Sequence, residues 1–477
     1  MARIAFVQEE VRDRFSVMIF ASLLKRRGHA CEVFIAESDK DFINSIKVYN
    51  PDIVGFSTMS PGIDFALRTA RDIKKRCGAF IIMGGAHPTF YPDVILEDCL
   101  DSICIGEGEH AMIELAESIR DGINLTSIRN LWVKEGSKVH KNDVRELIDL
   151  DSLPMMDYGI YFDKYPELRN APTKKVSIGR GCPFSCTYCF NSSLKKLYSG
   201  KGEYVRFRDV DNIITEIMYL KETYGFKWLQ ITTDTININR TWFLKFLESY
   251  KKNVNVPFMC NIRVDLIDED IVKKMKEAGC DRVDYGIEHG DEWIRKNVLG
   301  RRMSNDNIVS SGKLFNKYGI RVQTTNIIAV PHETVESAMK TVELNRKVNP
   351  EVAHSFILQP YVGTEIHRYS IENDFLGKDY KYSKSGNTFQ VEFDGAAISV
   401  PLKLKESRKL INIFLLFDVF VKHKWLTSIA SLLIKLPPNR IFKLIFMWPM
   451  VMRDIKYSES KSKKKEHALK LMKVLFN

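Results

Sequence analysis

Three cysteines within eight residues constrain this chain of 477 residues more than any other feature. Cys182, Cys186 and Cys189 stand in Gly181-Cys-Pro-Phe-Ser-Cys-Thr-Tyr-Cys-Phe190, with the spacing C-x3-C-x2-C. The run before them, Lys174 to Arg180, alternates apolar and polar residues and reads as a strand. Three thiolates can hold three irons of a cubane 4Fe–4S cluster and leave the fourth iron open to a substrate. Structural zinc asks for four ligands in paired groups, and no second pair or Cys/His partner follows at the usual distance. A disulfide framework belongs to small secreted domains, not to a chain of this length with nine cysteines. A reactive cluster is the reading that remains.

The other six cysteines (Cys31, Cys77, Cys99, Cys104, Cys260 and Cys280) are scattered singly and read as buried thiols. Met1 to Val7 begins a strand at once, with no apolar leader segment. A reducing, cytoplasmic setting is expected.

Within residues 1–130, short β-rich runs alternate with helical ones. Strands are expected at Arg3–Gln8, Cys31–Ile35, Ile53–Ser57, Phe80–Met83 and Ser102–Ile105. This rhythm predicts an α/β domain with a doubly wound, Rossmann-like (flavodoxin-like) parallel sheet. Ligands of such sheets bind at the carboxyl ends of the strands. Three polar, glycine-rich loops fall there: Ser57 to Gly62, Gly84 to Phe90 and Gly106 to Glu109. One such turn serves close packing as often as a ligand; three at successive strand ends mark a binding edge.

Residues 131–170 read as a polar linker with a hairpin around Lys134–Asn142. The alternation restarts over 171–375, with strands near 174–180, 228–234, 257–263, 282–288, 320–329 and 354–360. Six such steps suit a partial (β/α)6 TIM-like barrel, since a complete barrel takes eight.

The cysteine segment, with aromatic Tyr188 just before the last cysteine, resembles the signature of radical S-adenosylmethionine (SAM) enzymes. That resemblance implies a cluster whose open iron binds the amino and carboxylate groups of SAM. One electron then cleaves the sulfonium, and the 5′-deoxyadenosyl radical takes a hydrogen from substrate. It also implies a SAM pocket at the strand ends, formed by Tyr188, Asp234, Arg263, Glu288 and Ile328. Arg263 suits the SAM carboxylate, because a guanidinium binds a carboxylate through two hydrogen bonds. Asp234 reads either as a contact to the SAM amino group or as a cap of the next helix. Glu288 matches a glutamate that bonds ribose or amino group, and Ile328 would wall the adenine. His289 departs from the usual small residue and serves either substrate chemistry or a loop carbonyl.

The front loops, above all Gly84-Gly-Ala-His-Pro-Thr with Gly106-Glu-Gly-Glu, resemble the cobalamin-binding domain that precedes the cluster domain in one branch of that family. The residues so implicated are Ser57, Gly84, Gly85, His87, Gly106 and Glu107. The Asp-x-His-x-x-Gly signature is absent, so the lower face of a cobalamin is expected to lack a protein histidine. His87 either approaches the corrin or stabilises its turn.

The resemblance implies a cobalamin-dependent radical SAM enzyme that methylates an unactivated carbon, of a small or lipid-like substrate, served by a one-electron donor such as flavodoxin or ferredoxin. A variant performs cyclisation, rearrangement or oxidation without methyl transfer. An RNA-modifying methylthiotransferase is a further alternative, but it would carry a second cysteine trio. A non-catalytic sensor is the last.

The net charge of +11 lies in one place. Residues 401–477 hold 17 Lys and Arg against 5 Asp and Glu, while the other 400 residues hold 54 against 55. Within the mostly helical 376–477 region, apolar runs at Leu410–Val421 and Ile441–Met452 are too short to span a bilayer. With Trp425, Trp448 and flanking lysines they suit either helices at a membrane interface or an ordinary helical cap on the barrel. Nucleic acid is not expected, since long apolar runs serve phosphate binding poorly.

Overall fold

The computed structural model describes residues 1–378, 380 and 398–457, the last nine by their backbone alone. Two compact units comprise Met1–Asn170 with Leu194–Arg206, and Ala171–Ser193 with Phe207–Asn477.

The first unit is built on a seven-stranded sheet of β1 (Arg3–Gln8), β2 (Ala30–Ile35), β3 (Ile53–Ser57), β4 (Phe80–Gly84), β5 (Ser102–Cys104), β6 (Leu131–Glu135) and β7 (Lys138–Lys141). Its order is β2-β1-β3-β4-β5-β6-β7. The first five strands are parallel and follow the flavodoxin-like order. Helices cover the sheet through narrow apolar faces. Ile63–Arg76 buries Ala66, Thr69, Ala70 and Ile73, an i, i+3, i+4, i+7 set, and ends on Lys74, Lys75 and Arg76, which oppose the helix dipole.

Residues 131–170 do not form a free linker. β6 and β7 close a hairpin through a two-residue loop at Gly136 (φ +61°) and add antiparallel to β5. Farther on, Tyr161 donates to Gln8 Oε1 (2.6 Å) and Tyr165 to the Val33 carbonyl (2.8 Å). Apolar side chains spaced between polar ones concealed this packing in the sequence.

The second unit carries six parallel strands in chain order: β8 (Thr173–Ser177), β9 (Trp228–Thr232), β10 (Phe258–Asn261), β11 (Cys280–Glu288), β12 (Arg321–Ile328) and β13 (Val352–Ile357). Helices Val210–Tyr224, Arg240–Asn253, Glu269–Glu277, Asn305–Lys317 and Val335–Val348 connect them. One apolar core, including Ile213, Phe243, Phe246, Val283 and Phe315, joins strands to helices.

The two faces of the strands differ. Along β12, Thr324 and Asn326 bond Asn345 of the covering helix (Thr324 Oγ1 to Asn345 Oδ1, 2.6 Å; Asn345 Nδ2 to Asn326 Oδ1, 2.7 Å). Gln323, Thr325 and Ile327 point to the opposite, inner face, by the two-residue period of a strand.

The edge at β13 is covered by a long helix, Ser407–Lys422, with ten buried residues. Asp418 accepts from Ala353 N (2.9 Å), and Ser355 donates to the Phe414 carbonyl (3.0 Å). An open strand edge invites unwanted pairing, and this helix closes it. The apolar run at Leu410–Val421 is therefore a cap on the second unit, not a membrane face.

Candidate cluster and cofactor sites

The cysteine loop leaves the carboxyl end of β8 and is tied down on several sides. Asp234, just past β9, accepts from Gly181 N through Oδ2 (3.0 Å) and from Asn191 Nδ2 through Oδ1 (2.7 Å). It thus clamps the loop before its first cysteine and after its last. It does not cap the following helix, whose N-cap is Asn239 (accepting from Trp242 N, 3.0 Å). Thr187 N donates to the Leu299 carbonyl (3.1 Å), and Thr187 Oγ1 to that of Val298 (2.6 Å). At Gly300 (φ +65°) a Cβ would stand 2.9 Å from the Ser185 carbonyl, so a side chain there would push the loops apart.

The thiols of Cys182 and Cys189 each feel that of Cys186, which is the buried member. Burial pushes the Cys182 thiol up, and the Cys189 thiol up to about 11. A metal's positive charge is what converts such buried thiols into ligating thiolates. Among the described residues no three His, Cys, Asp or Glu side chains converge on a point, as a mononuclear ion would require. A cubane instead gives each thiolate its own iron. Three thiols on one loop are the donor set that such a cubane takes.

Arg263, after β10, is buried, and its guanidinium lies 3.4 Å from the Phe184 ring centroid. Nε and Nη2 grip the two Asp265 oxygens (2.9 and 2.8 Å), which fixes the plane of the fork. Glu288 ends β11 with φ +64°, a left-handed conformation that costs strain in a residue other than glycine. Its carboxylate lies over Gly286, where any Cβ would collide with it. Burial pushes Glu288 up, opposed by Arg301 and by a hydrogen bond from Tyr188. Arg301 Nη1 is 3.8 Å from Glu288 Oε1, and Cys186 is close enough to act on its charge. Burial alone would lower the pKa of Arg301, but Tyr188, Glu288 and Cys186 together raise it.

Sequence reasoning did not find Arg301; its sole cue is the glycine before it. It also missed the pairing of His289 with Glu333. His289 is fully buried, its Nε2 3.0 Å from Glu333 Oε1, while its Nδ1 accepts from Asp291 N (3.0 Å). Glu333 Oε2 accepts from Val330 N (3.0 Å). His289 therefore ties the loop after β11 to the loop after β12.

Ile328 is misplaced in the expected pocket. It is fully buried among Ala338, Val342 and Phe414 on the helix side of β12. Its neighbour Ile327 packs in the group that includes Tyr188. The reason is parity: a one-residue error moves a strand side chain to the other face.

Among the described residues, Thr232 Oγ1 at the end of β9, both amide atoms of Gln359 just past β13, and Arg301 Nε beside Glu288 are buried with no hydrogen-bond partner. Native proteins leave few such groups orphaned. A polar ligand such as SAM would satisfy them, so the residues present fit that group.

In the first unit, Ser57, Gly84 and Gly85, and Gly106 and Glu107 are half-buried at the ends of β3, β4 and β5, while the strands behind them are buried. Gly85 (φ +100°) backs onto Thr58, whose carbonyl a Cβ would meet at 2.6 Å. His87 is buried, its Nδ1 3.0 Å from Ser60 Oγ and its ring stacked on Tyr91. Burial lowers its pKa to about 4, against a smaller pull from Asp64. It joins its own turn to the loop after β3, where His87 N also donates to the Thr58 carbonyl (3.1 Å). Gly106 lies under Tyr198, whose hydroxyl accepts from Glu107 N (2.6 Å), and the Glu107 carboxylate pairs with Arg206 Nη2 (2.5 Å). Met59, within the Ser57 to Gly62 loop, stands 55% exposed. Half-open backbone and hydroxyls with one apolar side chain fit a large flat ligand such as a corrin.

Models of two families match the chain: the radical SAM superfamily over residues 176–344 and the B12 binding domain over 13–116. The uncharacterized methyltransferase PH0819 of Pyrococcus horikoshii is 31% identical over 342 residues, 70% of this chain and 73% of that protein. Among solved structures, the radical SAM methyltransferase TsrM from Kitasatospora setae, with cobalamin and a 4Fe–4S cluster bound, has a TM-score of 0.64 at 16% identity, covering 78% of each chain. The cobalamin-dependent SAM radical enzyme OxsB, with aqua-cobalamin and SAM bound, has a TM-score of 0.68 at 16% identity, covering 96% of this chain and 72% of that one. The two structures bear on the fold; the family models and the relative go further, and by them the chain belongs to the radical SAM superfamily, among the members that carry a B12-binding domain ahead of the radical SAM domain.

Proposed function

We propose that this protein is a cobalamin-dependent radical SAM methyltransferase acting on an unactivated carbon of a small, lipid-like molecule, in the cytoplasm and at the periphery of a membrane. The observation that carries the reading is the trio Cys182, Cys186 and Cys189 on one clamped loop at the end of β8, with the polar groups of successive strand ends around it. When bound, the cluster and SAM supply a carbon-centred radical, and cobalamin supplies the methyl group.

The protein's own residues bind, orient and exclude water. Asp234 and Thr187 fix the cysteine loop. Arg263, held flat by Asp265 and Phe184, would receive the SAM carboxylate. Tyr188 and Glu288 would hold the ribose or amino group, and Ile327, which packs with Tyr188, would replace Ile328 as the apolar wall. In the first unit, Ser57, Gly84, Gly85, Gly106 and Glu107 would form the edge for cobalamin, with His87 turned to Ser60 of the loop after β3. A flavodoxin- or ferredoxin-like protein delivers the electron.

Anaerobic purification with cobalamin supplied tests this directly. Four irons per chain, corrin absorption and release of 5′-deoxyadenosine from SAM under reduction are expected. Replacing all three cysteines by alanine should abolish the iron and the cleavage. A product heavier by one methyl separates methyl transfer from cyclisation or oxidation, and retained cleavage in the triple variant overturns the reading.

A further inference from the structure

After the capping helix the chain turns through a 3-10 turn, Lys424–Leu426, into a short helix, Thr427–Leu433, and then into the helix Arg440–Tyr457. Trp425, Ile429, Leu432 and Leu436 recur at i, i+4, i+7 and i+11, which places them along one side of a helical path. Trp425 and Leu432 are 67% and 64% exposed, and Ile429 and Leu436 are each 41% exposed. The other side is apolar too: Ala430 and Ile434 are buried in the core formed with the capping helix. A surface helix normally sets polar residues against solvent; this one sets isoleucine and leucine there, with Trp425 in the turn before it and Leu436 after it. Ile441 and Trp448, seven residues apart on the next helix, are 66% and 57% exposed. Six of the thirteen large apolar side chains exposed among the described residues thus fall within residues 425–448.

Charge identifies the occupant. Residues 419–453 hold six Lys and Arg and no Asp or Glu. Lys424, Lys435 and Arg440 are exposed beside the apolar stripe. Lys461-Ser-Lys-Lys-Lys465 continues the basic sequence beyond it. A second copy would bring the same cations against these, and like charges oppose that contact. Nucleic acid would satisfy the lysines and leave the aliphatic stripe in water. Among the described residues no helix is long and apolar enough to cross a membrane.

We infer that the face formed by Trp425, Ile429, Leu432, Leu436, Ile441 and Trp448 docks this protein on an anionic lipid bilayer, with its apolar side chains at the acyl boundary and its lysines among the headgroups. This deepens the proposed function and rests on its placement at a membrane periphery.

The test uses the full chain with vesicles of phosphatidylcholine alone or mixed with phosphatidylglycerol. Co-sedimentation is expected with the mixed vesicles, weakening as salt is raised. The variant Trp425→Ser/Leu432→Ser/Trp448→Ser should bind at least about tenfold more weakly, since three buried apolar contacts are lost. Lys424→Ala with Lys435→Ala, which leaves the apolar stripe intact, should cost about fivefold for each cation. Unchanged circular dichroism confirms that the variants fold. Equal binding of wild type and variants overturns the inference, as does a dimer that the serine variant dissolves, or retention on RNA in preference to vesicles. Wild-type protein that cleaves SAM yet ignores vesicles sinks this surface and the membrane placement, and leaves the proposed chemistry standing. Protein that binds vesicles but never cleaves SAM sinks the proposed function alone.

Discussion

Asp234 shows how much one side chain can carry at the residue scale. Its two oxygens hold both ends of the cysteine loop, and the sequence offered only a contact to SAM or a helix cap. Asp234→Ala is expected to reduce iron per chain at least about threefold on reconstitution while costing about 1–3 kcal/mol in stability, the range for a lost charge-assisted hydrogen bond. Asp234→Asn, which keeps an acceptor for Gly181 N, should lie between; iron content and urea unfolding measure the two effects. His87 gives a pH dependence. Its folded pKa of about 4 lies below the unfolded value near 6.5, so between those values the unfolded chain binds more protons. Stability is therefore full above about pH 6.5 and falls toward pH 4, by roughly 3 kcal/mol. Wild type should lose that much more than His87→Asn between pH 7 and pH 4 in urea titrations. Ile327 and Ile328 show where reading one residue at a time fails, because the turn before a strand sets which face each position takes.

The barrel was legible at the scale of elements. The strand expected at 282–288 is Cys280–Glu288, and the helix expected at 305–318 is Asn305–Lys317. Ser304 caps that helix by accepting from Asn307 N (3.1 Å), a signal local enough to read from the chain alone. The helix Ser407–Lys422 was visible as an apolar run, but its role was not. Apolar residues on all sides mean burial without naming the neighbour, and here the neighbours are β13 and the helix Val335–Val348. Phe417 is buried in that contact. Phe417→Ala is expected to destabilise the second unit by about 3–5 kcal/mol, read as an earlier urea midpoint. Arg346 of the helix Val335–Val348, whose Nε donates to the Phe420 carbonyl (3.0 Å), pins the same helix.

At the scale of the whole molecule, the first unit is not one continuous stretch. Leu194–Arg206, which follows the cysteine loop in sequence, belongs to it. Tyr198 fills the space over Gly106 and joins the core of that unit. Tyr198→Ala in the full chain should cost about 3 kcal/mol and raise amide exchange at Ile103 to Glu107, measured by mass spectrometry. Unchanged exchange there would refute the packing role. What the sequence determined by itself was local chemistry and rhythm: the thiol trio, the order of strands and helices, and the charge gathered after residue 400. Spacing within a few residues fixes those properties, whatever the rest of the chain does. Only the tertiary structure decided that Asp234 clamps a loop, that Arg301 approaches Cys186, that Ile327 faces inward and that the helix Ser407–Lys422 seals a sheet edge. Each joins residues from different elements, so no local pattern encodes it; burial and hydrogen-bond satisfaction over the folded chain select it.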